Sequence, residues 1–250
     1  MDTLKYLVDL HKSASRQGPG SDRETLRALE LARLDPSARL RVADIGCGTG
    51  ASTLQLARSL NASITAVDFL PEFIEILGRR ARDEGLSEKI TPLVASMEML
   101  PFREREYDVL WSEGAVYNMG FERGISEWRP FLRPGGILVV SEITWTTGSR
   151  PREIHDYWVN EYPEIDTASS KIRTLEQYGY SPVGSFILPR SCWLENYYRP
   201  LQDGFEAFLS RHDHSEESLA IVEAERKEIA MYEKYGAYYS YGVYIAKKSA

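Results

Sequence analysis

Cysteine is nearly absent: Cys47 and Cys192 are the only two in 250 residues. Neither stands in a Cys-x-x-Cys pair or beside paired histidines. That argues against a metal site or a disulfide framework and for reduced thiols in a cytosolic protein. Long apolar runs are missing too, and nothing approaches the roughly 20 residues of a membrane span. The N-terminal stretch Met1–Leu10 is interrupted by Asp2, Lys5 and Asp9 and lacks the apolar centre of a signal peptide. Positive charge is not in excess. The net charge of −7 disfavours a partner gripped through phosphates. Repeats and low-complexity segments are absent. What remains is ordinary for a globular chain, with 43% hydrophobic and 27% charged residues. The length suits one large domain, or a domain with a modest cap. These features predict a cytoplasmic protein, a monomer or homodimer, with no metal, membrane or nucleic-acid partner.

The chain then shows an alternating rhythm. Leu4, Leu7, Val8 and His11 share one face of a first helix, which the Gly18-Pro19-Gly20 turn ends. Ser21 and Glu24 form a capping-box pattern that opens a second helix to about Leu34, closed by Asp35-Pro36. Strands are expected at Leu40–Ile45, Ser63–Val67, Lys89–Val94, Tyr107–Trp111 and Ile137–Ile143. Helices are expected at Ala51–Leu60, at Pro71–Asp83 and from Phe121 to about Leu132, the last stopped by Arg133-Pro134-Gly135-Gly136. Strand–helix alternation of this kind calls for parallel strands with helical crossovers. Beyond residue 150 the composition changes, and 12 of the 15 tyrosines lie after position 155. Helices are expected at Glu153–Tyr162, Ala168–Tyr178, Trp193–Arg211 and Ser215–Tyr235. The last two strands fall at Ser181–Leu188 and Tyr239–Ala246. The charge run Glu223–Lys227 reads as a solvated helix face.

The chemistry concentrates after the first strand, in Ala43-Asp44-Ile45-Gly46-Cys47-Gly48-Thr49-Gly50. Glycines let backbone approach a ligand closely, and the following helix offers free N–H groups. In an open α/β sheet the ligand lies beyond the carboxyl ends of the strands. Gly46, Gly48 and Ala51 also satisfy a dinucleotide pattern, so the loop alone leaves an NAD-dependent oxidoreductase open. Asp44 tips the balance, because a carboxylate sits badly against a pyrophosphate and well against an amino-acid ammonium. Asp68, at the end of the second strand, can accept both hydroxyls of a ribose.

Four segments, in order, resemble the motifs of class I S-adenosylmethionine-dependent methyltransferases: Asp44–Gly50, Ser96–Phe102, Tyr107–Ser112 and Leu132–Gly136. Within that family the similarity is to the small-molecule enzymes of the ubiquinone/menaquinone-biosynthesis type, over about residues 38–145. The resemblance implies a doubly wound, mostly parallel seven-stranded α/β sheet. It implies an N-terminal helical flap over 1–36, a cofactor-binding core over 37–145 and a C-terminal part over 146–250. That last part completes the sheet and carries an inserted helical cap. It also implies S-adenosylmethionine as methyl donor and S-adenosylhomocysteine as product. Gly46, Cys47, Gly48 and Gly50 would approach its methionine portion, with Asp44 toward the ammonium. Asp68 would take the ribose, Phe69 would lie beside the adenine, and Ser96 and Met97 would contact the ring, Ser96 standing where the family usually has Asp. Arg16 or Gln17 could reach its carboxylate. The stretch Trp111–Gly120 departs from the family, as does the C-terminal third.

Methyl transfer needs a nucleophile placed in line, and a base where the acceptor carries a proton. Glu113 and Glu142 at strand ends are the candidate bases, with His155 beyond them, and Glu113 also faces the cofactor. Tyr117, Trp145, Trp193 and Tyr198 are the candidate substrate contacts, joined by Tyr157, Trp158 and Tyr197 in an aromatic cap that would exclude water. The main expectation is methylation of a small organic acceptor. The competing readings are the oxidoreductase, a methyltransferase acting on RNA or protein, and a nonenzymatic cofactor-binding protein.

Overall fold

The computed structural model describes residues 2–35 and 37–249. Two helices, α1 (Asp2–His11) and α2 (Asp22–Ala32), precede the sheet. There follow β1 (Leu40–Ile45), α3 (Ala51–Ser59), β2 (Ala62–Asp68), α4 (Pro71–Asp83), β3 (Ile90–Val94), β4 (Tyr107–Ser112), α5 (Phe121–Trp128) and β5 (Leu132–Trp145). The remainder comprises α6 (Arg152–Glu161), β6 (Asp166–Thr167), α7 (Ala168–Gln177), β7 (Tyr180–Ile187), α8 (Arg190–Trp193), α9 (Arg199–Arg211), α10 (Glu216–Tyr235) and β8 (Tyr239–Lys248).

The strands run in the order β3-β2-β1-β4-β5-β8-β7, with the two-residue β6 added beside β5. All pairings are parallel except the two made by β8. The sheet is therefore mostly parallel, as expected, with eight strands rather than seven. β6 is too short to leave a sequence pattern. Strand order reverses between β1 and β4, which opens a crevice at their carboxyl ends. Side chains alternate across the sheet. Val42, Ile64 and Val109 enter one core cluster, while Ala43, Ile45 and Leu110 enter the other. Burial on both faces explains why β1 is apolar at all but Arg41 and Asp44.

Local chemistry accounts for most element ends. Pro71 begins α4, where its missing N–H costs nothing, and Phe73, Ile74, Leu77 and Ala81 form the buried stripe of that helix. At α2 the Ser21 hydroxyl accepts from the Glu24 amide at 3.1 Å. The reciprocal half of the expected box is not formed; the buried Glu24 carboxylate instead lies 3.6 Å from Arg27. Helix α2 stops at Ala32, with Arg33 left-handed, two residues before the expected end; Pro36 lies outside the described residues.

Two other differences have clear causes. Arg133-Pro134-Gly135-Gly136 was expected to separate α5 from β5. The strand instead starts at Leu132 and bulges, so that those four residues stand opposite Asp108 alone. Arg133 holds the bulge by donating to Asp108 at 2.8 Å. The expected helix from Trp193 begins earlier, at Arg190, and passes through a π-helical turn at Leu194–Tyr198. The helical cap, α8 to α10, is inserted between β7 and β8.

Glu142 and Lys171 form a buried ion pair at 3.3 Å beneath α7. Lys171 also donates to the Glu164 carbonyl at 2.7 Å and faces the Phe121 ring. Burial pushes the Glu142 carboxyl up to about 7, against the attraction of Lys171. Lys171→Met strands that carboxylate and is expected to cost roughly 3–5 kcal/mol at pH 8. Urea unfolding should show the loss, and should show most of it recovered in the Glu142→Met/Lys171→Met double variant.

Candidate functional site

After β1 the chain turns through Gly46, Gly48 and Gly50, all at positive φ (74°, 55° and 91°). A Cβ on Gly46 would stand 2.3 Å from the Ala115 Cβ, and one on Gly50 would stand 2.2 Å from the Leu77 Cδ1. Gly46 and Cys47 donate their amides to the Val67 carbonyl. The Gly48 amide donates to the Asp68 carboxylate at 2.8 Å, and the Leu70 amide donates to its other oxygen at 3.0 Å. Asp68 thus joins the glycine loop to the end of β2. Burial raises its pKa despite these bonds.

The loop floors a cleft of about 640 Å³. Gly46, Cys47, Gly48, Asp68 and Phe69 line one side; Ser96, Met97, Glu113 and Tyr117 line another. Phe69 is 64% exposed, an aromatic face bare at the lip. Ser96 uses its hydroxyl to accept from the Glu98 amide at 3.2 Å. The Met97 carbonyl is held by the Trp128 indole N–H at 3.0 Å.

Helix α1 and the loop after it roof the cleft. Gln17 reaches down so that its side-chain oxygen accepts from the Thr49 amide at 2.8 Å and from the Thr49 hydroxyl at 3.1 Å. Arg80 donates to both the Ser15 and Thr49 carbonyls. Arg16 donates to Glu113 at 3.2 Å, and Asn196 donates to the Gly20 carbonyl at 2.8 Å. Glu113 also accepts from the Thr25 hydroxyl at 2.7 Å and from the Trp111 indole at 2.9 Å. With three donors committed, this carboxylate latches the roof to β4.

Other expected site residues lie elsewhere. Asp44 is fully buried and outside the cleft lining. Its Oδ2 accepts from the Ser52 and Thr53 hydroxyls at 2.9 and 2.6 Å, while its Oδ1 has no partner among the described residues. Burial pushes this carboxyl up to about 7. Gly50 faces Leu77 of α4 and is a packing glycine. Glu142 belongs to the buried pair described above and does not reach the cleft, which removes it as a base. His155 stacks on Trp145 and pairs with Asp156, also away from the cleft.

Among the aromatic candidates only Tyr117 and Tyr197 line the cleft. Trp145 and Trp193 are core residues rather than substrate contacts. Trp193 is stacked on Tyr232 and Tyr241, with its indole N–H on the Ser240 hydroxyl. Tyr198 is buried and donates to Glu228 at 2.9 Å. Large aromatic rings gained more from packing together than from facing a cleft.

Sequence reasoning missed His11, Glu225 and Glu228, which line the roof side. Glu225 was read as solvated, yet its side chain is 13% exposed and lies 3.4 Å from His11. The signal was available. Ile221, Val222, Ile229 and Tyr232 are the buried stripe of α10, and Glu225 and Glu228 fall on that stripe by helical spacing.

Comparison with known proteins agrees with this geometry. The family described as a methyltransferase domain matches residues 42–136. "Methyltransferase GfsG" from Streptomyces halstedii is 31% identical over 112 residues, 44% of this chain and 40% of that protein. The "Ubiquinone/menaquinone biosynthesis C-methyltransferase UbiE" of Geobacter sp. (strain M21) is 31% identical over 146 residues, 57% of this chain and 61% of the relative. The matched parts therefore span less than two thirds of either relative. A methyltransferase from Geobacter sulfurreducens, solved with S-adenosylhomocysteine, superposes with a TM-score of 0.84 at 18% identity, covering 97% of each chain. The "[4+2]-Cyclase SpnF" superposes at 0.78 with 23% identity, covering 99% of this chain and 94% of that one. Residues 42–136 thus match a methyltransferase domain, and the chain shares the fold of these solved structures. Among the described residues no helix is long and apolar enough to cross a membrane.

The buried carboxyls set a pH dependence. Asp44, Glu142 and Glu228 are each raised to about 7, mainly by burial. Between the ordinary carboxylate range and pH 7 the folded protein therefore holds protons that the unfolded chain has released. Their stabilising effect is full at the acid end of that window and is lost as pH rises through 7. The ligand-free protein should melt at least about 2 °C higher at pH 6 than at pH 8 by calorimetry. A higher melting temperature at pH 8 would contradict these assignments.

Proposed function

We propose that the protein transfers a methyl group from S-adenosylmethionine to a small organic acceptor. One observation carries the reading: Asp68, the glycine loop and the bare Phe69 ring converge on one cleft whose other charged walls are largely acidic. Carboxylates repel a pyrophosphate or a nucleic-acid backbone and suit a donor bearing an ammonium and a sulfonium. That disfavours the oxidoreductase and RNA readings. The cleft also fits the donor locally. Asp68 offers carboxylate acceptors in the lining, and the Phe69 ring beside it is 64% exposed.

The bound cofactor supplies a sulfonium methyl already activated for displacement. Asp68 retains acceptor capacity for two ribose hydroxyls beyond its two amide bonds. Phe69 offers a face to the adenine, and Ser96 and Met97 lie beside it. The backbone of Gly46, Cys47 and Gly48 would contact the methionine portion, with Asp44 holding the first turn of α3 through Ser52 and Thr53. Glu113 holds the roof through Arg16 and Thr25, so that α1 excludes water and confines the acceptor. Positioning of this kind contributes up to about 7–11 kcal/mol in well-oriented systems. Relatives are named for C-, N- and O-methylation, so the acceptor atom is not inherited from them. The reading includes a cytoplasmic location, a monomer or homodimer, and no nucleic-acid partner.

The test is methyl-labelled S-adenosylmethionine incubated with a library of small organic acceptors. Label should pass to an acceptor with wild type and fall at least about 100-fold with Gly46→Val, whose side chain has no room beside Ala115. Tight S-adenosylhomocysteine binding without any transfer would instead make this a nonenzymatic binding protein.

A further inference from the structure

The roof side of the cleft holds a constellation outside the cofactor contacts proposed above. His11 ends α1, Tyr197 lies in the π-helical turn, and Glu225 and Glu228 project from α10; all four line the cleft. The imidazole Nε2 lies 3.4 Å from Glu225 Oε1. The second oxygen of Glu225 and the Nδ1 of His11 are buried and have no partner among the described residues. Glu228 accepts one bond, from Tyr198. The Tyr197 ring lies nearly parallel to His11, with centroids 6.2 Å apart. Tyr117 presents a ring that is 41% exposed. Burial and then the Glu228 charge raise its hydroxyl pKa, and both residues line the same cleft.

The charge balance here is one-sided. Arg16, the one arginine or lysine in the lining, is already paired with Glu113 and Asp22. His11 is left facing two glutamates. Burial, and next the Glu225 charge, push the Glu228 carboxyl up to about 7, which a bound cation would reverse. Carboxylates set among tyrosine faces bind an ammonium well. The acids supply charge and hydrogen-bond acceptors, and the rings supply their negative faces. The same wall repels a phosphate or carboxylate.

We propose that the acceptor carries a cationic amine, held by Glu225 and Glu228 against the rings of Tyr117 and Tyr197. This rests on the methyltransferase reading of the same cleft and narrows it to a substrate class. Phosphorylated and other acidic acceptors are excluded by the same groups.

Calorimetry on protein saturated with S-adenosylhomocysteine tests the proposal. The probes are matched triplets: tyramine, 2-(4-hydroxyphenyl)ethanol and 4-hydroxyphenylacetate; benzylamine, benzyl alcohol and benzoate. The amines should bind at least ten-fold more tightly than their neutral and acidic counterparts. Glu225→Gln and Glu228→Gln should each weaken amine binding at least five-fold and leave S-adenosylhomocysteine affinity within two-fold. Should a glutamine variant fail to fold, Tyr117→Leu gives the same comparison without touching a carboxylate. The proposal is overturned if alcohols or acids match the amines, if no amine binds the loaded protein, or if the variants bind amines as wild type does. Failure of wild type to bind S-adenosylhomocysteine brings down the methyltransferase reading as well. Binding without an amine preference brings down this proposal alone.

Discussion

The Asp68 carboxylate accepts from the Gly48 amide on one side and the Leu70 amide on the other. That bridge spans the carboxyl ends of β1 and β2, beside the point where strand order reverses. It holds the glycine loop in its left-handed turns and keeps the N-terminus of α3 directed at the cleft. It also places a carboxylate in the lining of the cleft. Each later feature of the site takes its position from this junction, including the Phe69 ring and the Gln17 contact with Thr49.

The roof is attached at several points that differ in chemistry. Gln17 hydrogen-bonds to Thr49, Arg80 bridges Ser15 and Thr49, and Glu113 gathers Arg16, Thr25 and Trp111. A charged latch that is partly buried is worth more than the same pair in water. The N-terminal segment thereby becomes a wall of the cleft. Its apolar residues Leu4, Leu7 and Val8 and its His11 then face the cleft.

Much of this was legible in the sequence. The strands of the core left clear apolar runs because they are buried on both faces, and Pro71 marked the start of α4. The glycine spacing, with Asp68 20 residues beyond Gly48, marked a loop and a strand end that line the cleft. Other parts were not legible, for physical reasons. The bulge at Arg133–Gly136 depends on a partner strand that a linear reading does not see. Trp193 and Tyr198 carry the same composition whether they line a cleft or pack on β8, and here ring stacking decides. Glu142 falls near the carboxyl end of β5 like a catalytic base, but Lys171, 29 residues away, pairs with it in the core. Glu225 lies within a charged run, and only its helical phase, four residues from both Ile221 and Ile229, marks it as facing inward.

The central claim is that Asp68 organises a nucleoside-binding cleft. Calorimetric titration of S-adenosylhomocysteine into wild type and Asp68→Ala tests it most directly. Hydrogen bonds to a charged group are worth about 1.5–3 kcal/mol, so affinity should fall at least about ten-fold in the variant. Equal affinity in the two proteins would contradict the account.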